Sequence, residues 1–358
     1  MQTDLPCRRF RGGHPLALPA GISGCLAVLG GTAGLAQNVA DDWTRNFRLG
    51  AQTMFNVKAD FSVSGTVPVS RPPPGPVGVP GADHFYDDGF VRVDQTGNAG
   101  GTTSFWGYQS GSQVDAANDR IVMKSVRSFQ ASEDTTVNSG FSPGLDTAYG
   151  SQIRDWGRTR LGWEVGYAFT PFDFKDETPL AATVTRDVQA FSYGGIALPP
   201  APFAGGPSGV GPAIGDVSTA LADEVLGATI TGTRQLDVNL HALRAGVTLF
   251  WRFQPRWALS GSLGPAMGLV PGTYRYEDTF AMADGTTATE SGSSSKTEVV
   301  FGGYASATLL CRVTHSADVY LGTQFMGLQS ASFGSAQRQA ELNLGATFTL
   351  SLGVNWPF

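Results

Sequence analysis

The sequence predicts an all-β fold, a transmembrane antiparallel β-barrel of about 12 strands, in the range of about 10–14. Three observations lead there. Two runs of period-two alternation are much longer than the strands of a soluble sandwich. Charged residues make up only 15% of the 358 residues, yet mean hydropathy is −0.06, the average expected when apolar residues are spread by alternation. The chain also opens on an export-like segment.

That segment comes first. Arg8, Arg9 and Arg11 give a basic start, an apolar stretch runs from Leu16 to Leu35, and Gly34 and Ala36 precede a predicted cut before Gln37. Ile22-Ser23-Gly24-Cys25 loosely matches a lipobox, but apolar sequence continues past Cys25, and the paired arginines lack the rest of a twin-arginine pattern. Residues 1–36 therefore read as a signal peptide and 37–358 as one barrel domain. Cleavage takes away Asp4 and three arginines, leaving 21 basic and 29 acidic residues and a net charge of −8. Such a chain is a poor nucleic-acid partner. Cys311 is then the lone cysteine, so closure of a sheet, rather than a disulfide, must hold the protein.

From Phe47 to Val63 the odd positions are apolar apart from Thr53, and the even ones include Arg48, Gln52, Asn56, Lys58 and Asp60. From Ala340 to Phe358 every even position is apolar, against Glu341, Asn343, Thr347, Ser351 and Asn355. Side chains alternate across a strand, so each run has an apolar face for lipid and a polar face for the lumen. Shorter runs follow at 161–169, 236–253, 257–269, 299–313 and 319–325, with weaker ones near 84–94, 102–114, 119–129, 146–156 and 182–193. Within 236–253 the apolar phase switches, which predicts a β-bulge near 243–244.

With both termini in the periplasm, Gln254–Arg256 and Thr314–Ser316 become tight periplasmic turns, and 64–83, 194–233 and 278–296 become long external loops. Trp43, Phe47, Phe169, Phe172, Trp251, Phe253, Trp257, Trp356 and Phe358 then gather at the periplasmic boundary as an aromatic girdle.

The last eight residues resemble the C-terminal signature of bacterial outer-membrane β-barrel proteins, in the spacing of Ser351, Gly353, Trp356 and Phe358. The resemblance implies an outer-membrane location, lipid around the barrel and the barrel-assembly machinery as a partner. Pro357 departs from the pattern by removing a ladder donor.

Chemistry is sparse. Asp83-His84-Phe85-Tyr86-Asp87-Asp88 is the densest polar cluster and is expected as an acidic, solvated loop, with a metal site or a rim hydrolase as the alternatives. His241 falls on or near the lumen side and His315 in a tight turn. Arg71–Pro80 is expected to be stiff and extended, and 194–215, rich in Gly and Pro, to be an external loop. No catalytic residues, metal or cofactor are expected. Alternation aims Arg48, Lys58, Asp60, Arg160, Glu164, Arg252, Glu298, Arg312 and Glu341 inward. Such charges either set selectivity in an open pore or pair and close a narrow lumen. The expectation is a porin-like passive channel for ions or small polar solutes, in a form that allows a homo-oligomer. The alternative is a structural or adhesion barrel acting through long external loops, its lumen closed by charge pairs.

Overall fold

The computed structural model describes residues 44–65 and 76–358. Its principal strands are β1 (Arg45–Phe55), β2 (Lys58–Gly65), β3 (Arg120–Ala131), β4 (Thr135–Asn138), β5 (Ser142–Asp155), β6 (Thr159–Asp176) and β7 (Leu180–Ser192). They continue with β8 (Glu224–Arg252), β9 (Trp257–Met282), β10 (Thr287–Arg312), β11 (Asp318–Leu328), β12 (Ala331–Gly334), β13 (Arg338–Asn343) and β14 (Thr347–Pro357). The predicted cleavage site at Ala36 and Gln37, Trp43 and residues 71–75 lie outside the described residues.

Eight of these strands close a ring. β1, β5, β6, β8, β9, β10, β11 and β14 pair antiparallel in that order, and β14 returns to β1 with Phe47 opposite Trp356 and Phe55 opposite Phe348. The ring is thus narrower than a count of 12 strands implies, because several candidate segments pair outside it. Residues 119–129 and 182–193 belong to a continuation of the sheet, and 84–94 and most of 102–114 to two small sheets outside it. The turns at 156–158, 254–256 and 313–317 share an end with Arg45 and Phe358, whose backbones exchange hydrogen bonds of 2.9 and 3.1 Å. This is the periplasmic end.

Towards the other end the strands outrun the ring and build an external extension. There β2 pairs with β13 and β4 and touches β3, β3 pairs with β7, and β7 with the first residues of β8. β3 and β7 thus take over the places that β5 and β6 hold below. No ladder joins β10 to β12 among the described residues, and an Arg338–Glu290 ion pair spans that seam. Residues 278–296, expected as a loop, are the ends of β9 and β10. Their Ser/Thr-rich alternation lacks an apolar face and so hid the strand.

Between ring and extension the sheet inverts its polarity. In β8 the even positions face inward throughout: Arg244 is buried in the ring, while Leu236, Val238, Leu240 and Ala242 are buried in the extension. The odd positions face outward, with Leu243, Val247, Leu249 and Trp251 below and Asp237 and Asn239 above. The register against β6 and β9 is unbroken across this point, so the bulge expected near 243–244 is absent. The phase of the sequence switches because the surroundings change from lipid to water while the strand runs straight.

The two long runs do the reverse. The odd residues of β1 face lipid, but Val57 and, in β2, Ala59, Phe61 and Val63 are buried. Asn56, in the left-handed conformation at φ 61°, turns the chain over between them. On the partner side the break at 344–346 does the same, so Ala340 and Leu342 are buried while Phe348, Leu350 and Leu352 face out. Lys58, Asp60 and Glu341 therefore point outward, not into the lumen.

The outward band is bounded by aromatics. Trp163, Trp251, Trp257, Trp356 and Phe358 mark the periplasmic side, and Phe55, Phe301, Phe325 and Phe348 the outer side. Eight residues separate Trp356 from Phe348, which at ~3.3 Å per residue and a tilt of ~40° is about 20 Å, close to the expected lipid-facing height. Phe169 and Phe172 do not join the periplasmic girdle. The turn at 156–158 sends β6 outward, so Phe169 sits opposite His241 and Phe172 is buried. A closed barrel with an apolar outer face and two aromatic girdles is an outer-membrane protein.

Candidate functional site

The lumen of the ring is a packed polar network. Glu164 on β6 receives Arg48 from β1, Ser262 at 2.8 Å and Tyr304 at 3.1 Å. Arg48 also donates to Thr308 at 3.1 Å, and Arg244 pairs with Asp146 at 2.7 Å. The two guanidinium groups lie near the rings of Tyr320 and Tyr304. Nearer the periplasm Asp318 takes Asn355 at 2.9 Å and Arg312 at 3.7 Å, and Arg160 pairs with Asp155 at 2.9 Å. A cavity of about 40 Å³ lies beside Arg48, Arg160 and Glu164, room for a few water molecules. Eight strands give an interior that side chains can fill, and here they fill it.

Apolar and ionic layers alternate above this network. Met54, Phe172, Leu240, Val270, Val300, Met326, Phe333 and Leu344 form an apolar layer. Arg234, fully buried, then faces Asp176 at 3.1 Å and Asp278 at 3.9 Å, and Arg338 faces Asp278 at 3.4 Å. Burial is the largest influence on Asp278 and raises its carboxyl, against the pull of Arg234 and Arg338. Phe129, Leu180, Val184, Ile230 and Phe280 close a second apolar layer.

Of the nine charges read as inward, Arg48 and Glu164 meet in the lumen, and Arg160, Arg252 and Arg312 stand on its periplasmic side. Glu298 keeps inward parity but pairs with Lys296 two residues along its own strand. Lys58, Asp60 and Glu341 lie on the outside, where Asp60 takes Thr136 at 2.5 Å. Alternation alone missed Asp146, Arg244, Arg234, Asp278 and Arg338. Asp278 sits in a segment assigned to a loop, and Arg234 and Arg338 lie just before the segments read as strands. His241 also faces outward, its Nδ1 2.8 Å from the Tyr167 hydroxyl at the outer membrane boundary.

The Asp83–Asp88 segment is only partly solvated: Asp83 and Asp87 are exposed, but His84 and Tyr86 are buried. His84 is fully buried with its ring 5.5 Å from that of Phe191, in a lobe cored by Tyr86, Val91, Trp106, Tyr108, Ile121, Met123 and Ile214. The Gly/Pro-rich stretch 194–215 folds into this lobe, with Phe203 against Trp106 and the Pro212 carbonyl accepting from Trp106 Nε1 at 2.8 Å.

Where this lobe meets the extension, Asp87, Asp88, Lys124, Val126, Arg186, Met282, Asp284, Thr286, Thr287 and Ala288 line a cleft of about 200 Å³. Asp87 is fixed by the Val126 N–H at 2.6 Å and Asp88 by the Lys124 N–H at 2.8 Å. Burial pushes the Asp88 carboxyl up to about 6, against that N–H, which draws it down. Lys124 pairs with Glu224 at 2.9 Å, and Arg186 with Asp284 at 2.5 Å and Glu224 at 3.7 Å.

No known family and no curated protein matches the sequence. Among solved structures the chain is similar to the outer membrane protease OmpT from Escherichia coli, at 10% identity over 88% of this chain and 96% of that one, with a TM-score of 0.34. It is also similar to the outer membrane protein OprG from Pseudomonas aeruginosa, at 10% identity over 87% and 95%, with a TM-score of 0.31. The attachment invasion locus protein Ail of Yersinia pestis follows at 10% identity over 86% and 98%, with a TM-score of 0.23. Scores this low align barrels only loosely and carry no activity across.

Proposed function

We propose that this protein is a sealed outer-membrane barrel that works through its external extension as a binding or interaction protein. The observation that supports the reading is the filled lumen, in which Arg48, Glu164, Arg244 and Asp146 are paired and buried beneath an apolar layer. A porin needs charged groups that face water along a continuous path. Here the same residue types are spent on one another, which favours the interaction barrel over the passive channel. His84 supports a binding role over a hydrolytic one, because its imidazole packs against Phe191 instead of lining the cleft. The test is single-channel recording of the refolded chain in a planar bilayer. The expected result is insertion without discrete conductance steps. Reproducible steps with cation or anion selectivity would restore the porin reading.

A further inference from the structure

We propose that the periplasmic rim of the barrel holds the phosphate of an anionic phospholipid in a pocket made by Arg252, Arg256 and Arg312, with the acyl chains lying along β9.

The charge at this end runs against that of the chain. Net charge is −6 overall. Yet among the described residues the periplasmic end adds Arg45, Arg154, Arg158 and Arg256 to Arg160, Arg252 and Arg312, against the acids Asp155 and Asp318. Three of these arginines converge. Arg252 ends β8, Arg256 stands in the turn to β9 and Arg312 ends β10, and with Pro255, Trp257 and Leu310 they line a cavity of about 10 Å³. The backbone fixes their places, because the Arg312 N–H donates to the Arg256 carbonyl at 2.8 Å and Trp257 stands opposite Cys311 in the ladder. Such a volume takes one oxygen-sized group, so a phosphate oxygen enters while its ester stays outside. No acid lines the pocket. Asp318 faces Arg312 at 3.7 Å from within the lumen and also accepts from Asn355, whereas Arg256 is exposed and in no ion pair among the described residues. Three guanidinium groups against one carboxylate leave positive charge for a phosphate, which arginine binds through paired N–H bonds.

The surroundings select a lipid over a free anion. Trp251, Phe253 and Trp257 face outward around the pocket, at the depth of the headgroups. Leu259 and Leu263 carry the same face of β9 into the lipid band, where acyl chains lie. A zwitterionic headgroup would bring its ammonium against the arginines, so an anionic one is preferred.

The test is native mass spectrometry of the refolded full chain in uncharged detergent micelles with equal amounts of phosphatidylglycerol and phosphatidylcholine. One phosphatidylglycerol is expected to be retained in at least fivefold excess over phosphatidylcholine. Arg256→Gln, at an exposed turn position, is expected to bring that excess below twofold, and Arg252→Gln to act in the same direction if the first variant does not fold. Arg45→Gln, which removes an arginine from the same end but outside the pocket, is expected to leave the excess unchanged. Equal retention of the two lipids overturns the proposal. So does an equal loss from Arg45→Gln and Arg256→Gln, which would mean diffuse attraction without a site. Added inorganic phosphate that replaces the lipid at millimolar concentration would assign the pocket to a free anion and overturn the lipid reading.

Discussion

Within one strand, β8, the molecule shows two opposite ways of being a barrel. From Trp251 to Leu243 the outward side chains are apolar and the inward ones include Arg244, Thr248 and Arg252. From His241 to Gln235 the outward ones are polar and the inward ones are Leu240, Val238 and Leu236. The backbone pairing does not change between them. The lower barrel must satisfy lipid, so its polar groups turn inward and pair with each other. The extension stands in water and is built like a soluble protein, with an apolar core and a charged surface. Stability in the lower half therefore leans on hydrogen-bonded closure, and in the upper half on burial.

The largest expected effect comes from a place where the extension breaks its own rule. Arg234→Ala leaves Asp176 and Asp278 buried without their main cation and should cost about 3–5 kcal/mol, read as a lower urea midpoint in detergent. Cavity formation separates the halves almost as sharply. Phe61→Ala, in the core of the extension, should cost about 3–5 kcal/mol, whereas Phe348→Ala should cost about 1 kcal/mol because lipid refills the space. An equal loss for the two would break the comparison.

Charge placed on the outer face should respond to the same boundary. Val247→Arg, within the lipid band, should destabilise by about 2–4 kcal/mol, and Asn239→Arg, a few residues further out, by less than about 0.5 kcal/mol. In the lumen, Arg48→Leu combined with Glu164→Gln should leave the bilayer silent, because Arg244, Asp146 and the apolar layer above still block the path. The smallest effect concerns pH. The Asp88 carboxyl is raised to about 6 in the folded protein, so the folded state takes up a proton before the unfolded one. Stability should rise modestly as pH falls from about 7 to about 4, and Asp88→Asn should remove that rise in a set of thermal melts.

Much of the lower barrel was legible in the sequence. Leu350, Leu352, Trp356 and Phe358 alternate against Thr349, Ser351 and Asn355, and the structure puts the first set outward and the second inward or partly so. What alternation cannot reveal is which side is the inside. The unbroken pattern through Asn56 concealed a change of inward face, and the broken pattern at Leu243 concealed a straight strand. Lys58, Asp60 and Glu341 were misplaced by the first effect and His241 by the second. The cleft was only half visible. Asp87 and Asp88 stand out in the sequence, but Arg186, Met282 and Asp284 reach them through the pairing of β3 with β7, β7 with β8 and β8 with β9, which no local pattern encodes.

The inversion is tested most directly by a cysteine scan along the outward face of β8. With Cys7, Cys25 and Cys311 replaced by serine, single cysteines at Leu249, Val247, Leu243, Asn239 and Asp237 would carry a fluorophore, in vesicles containing brominated lipid. The account predicts strong quenching by lipid at the first three positions and access to aqueous iodide at the last two, with the change between Leu243 and Asn239. Lipid quenching that continues through Asp237, or iodide access that reaches Val247, would contradict it.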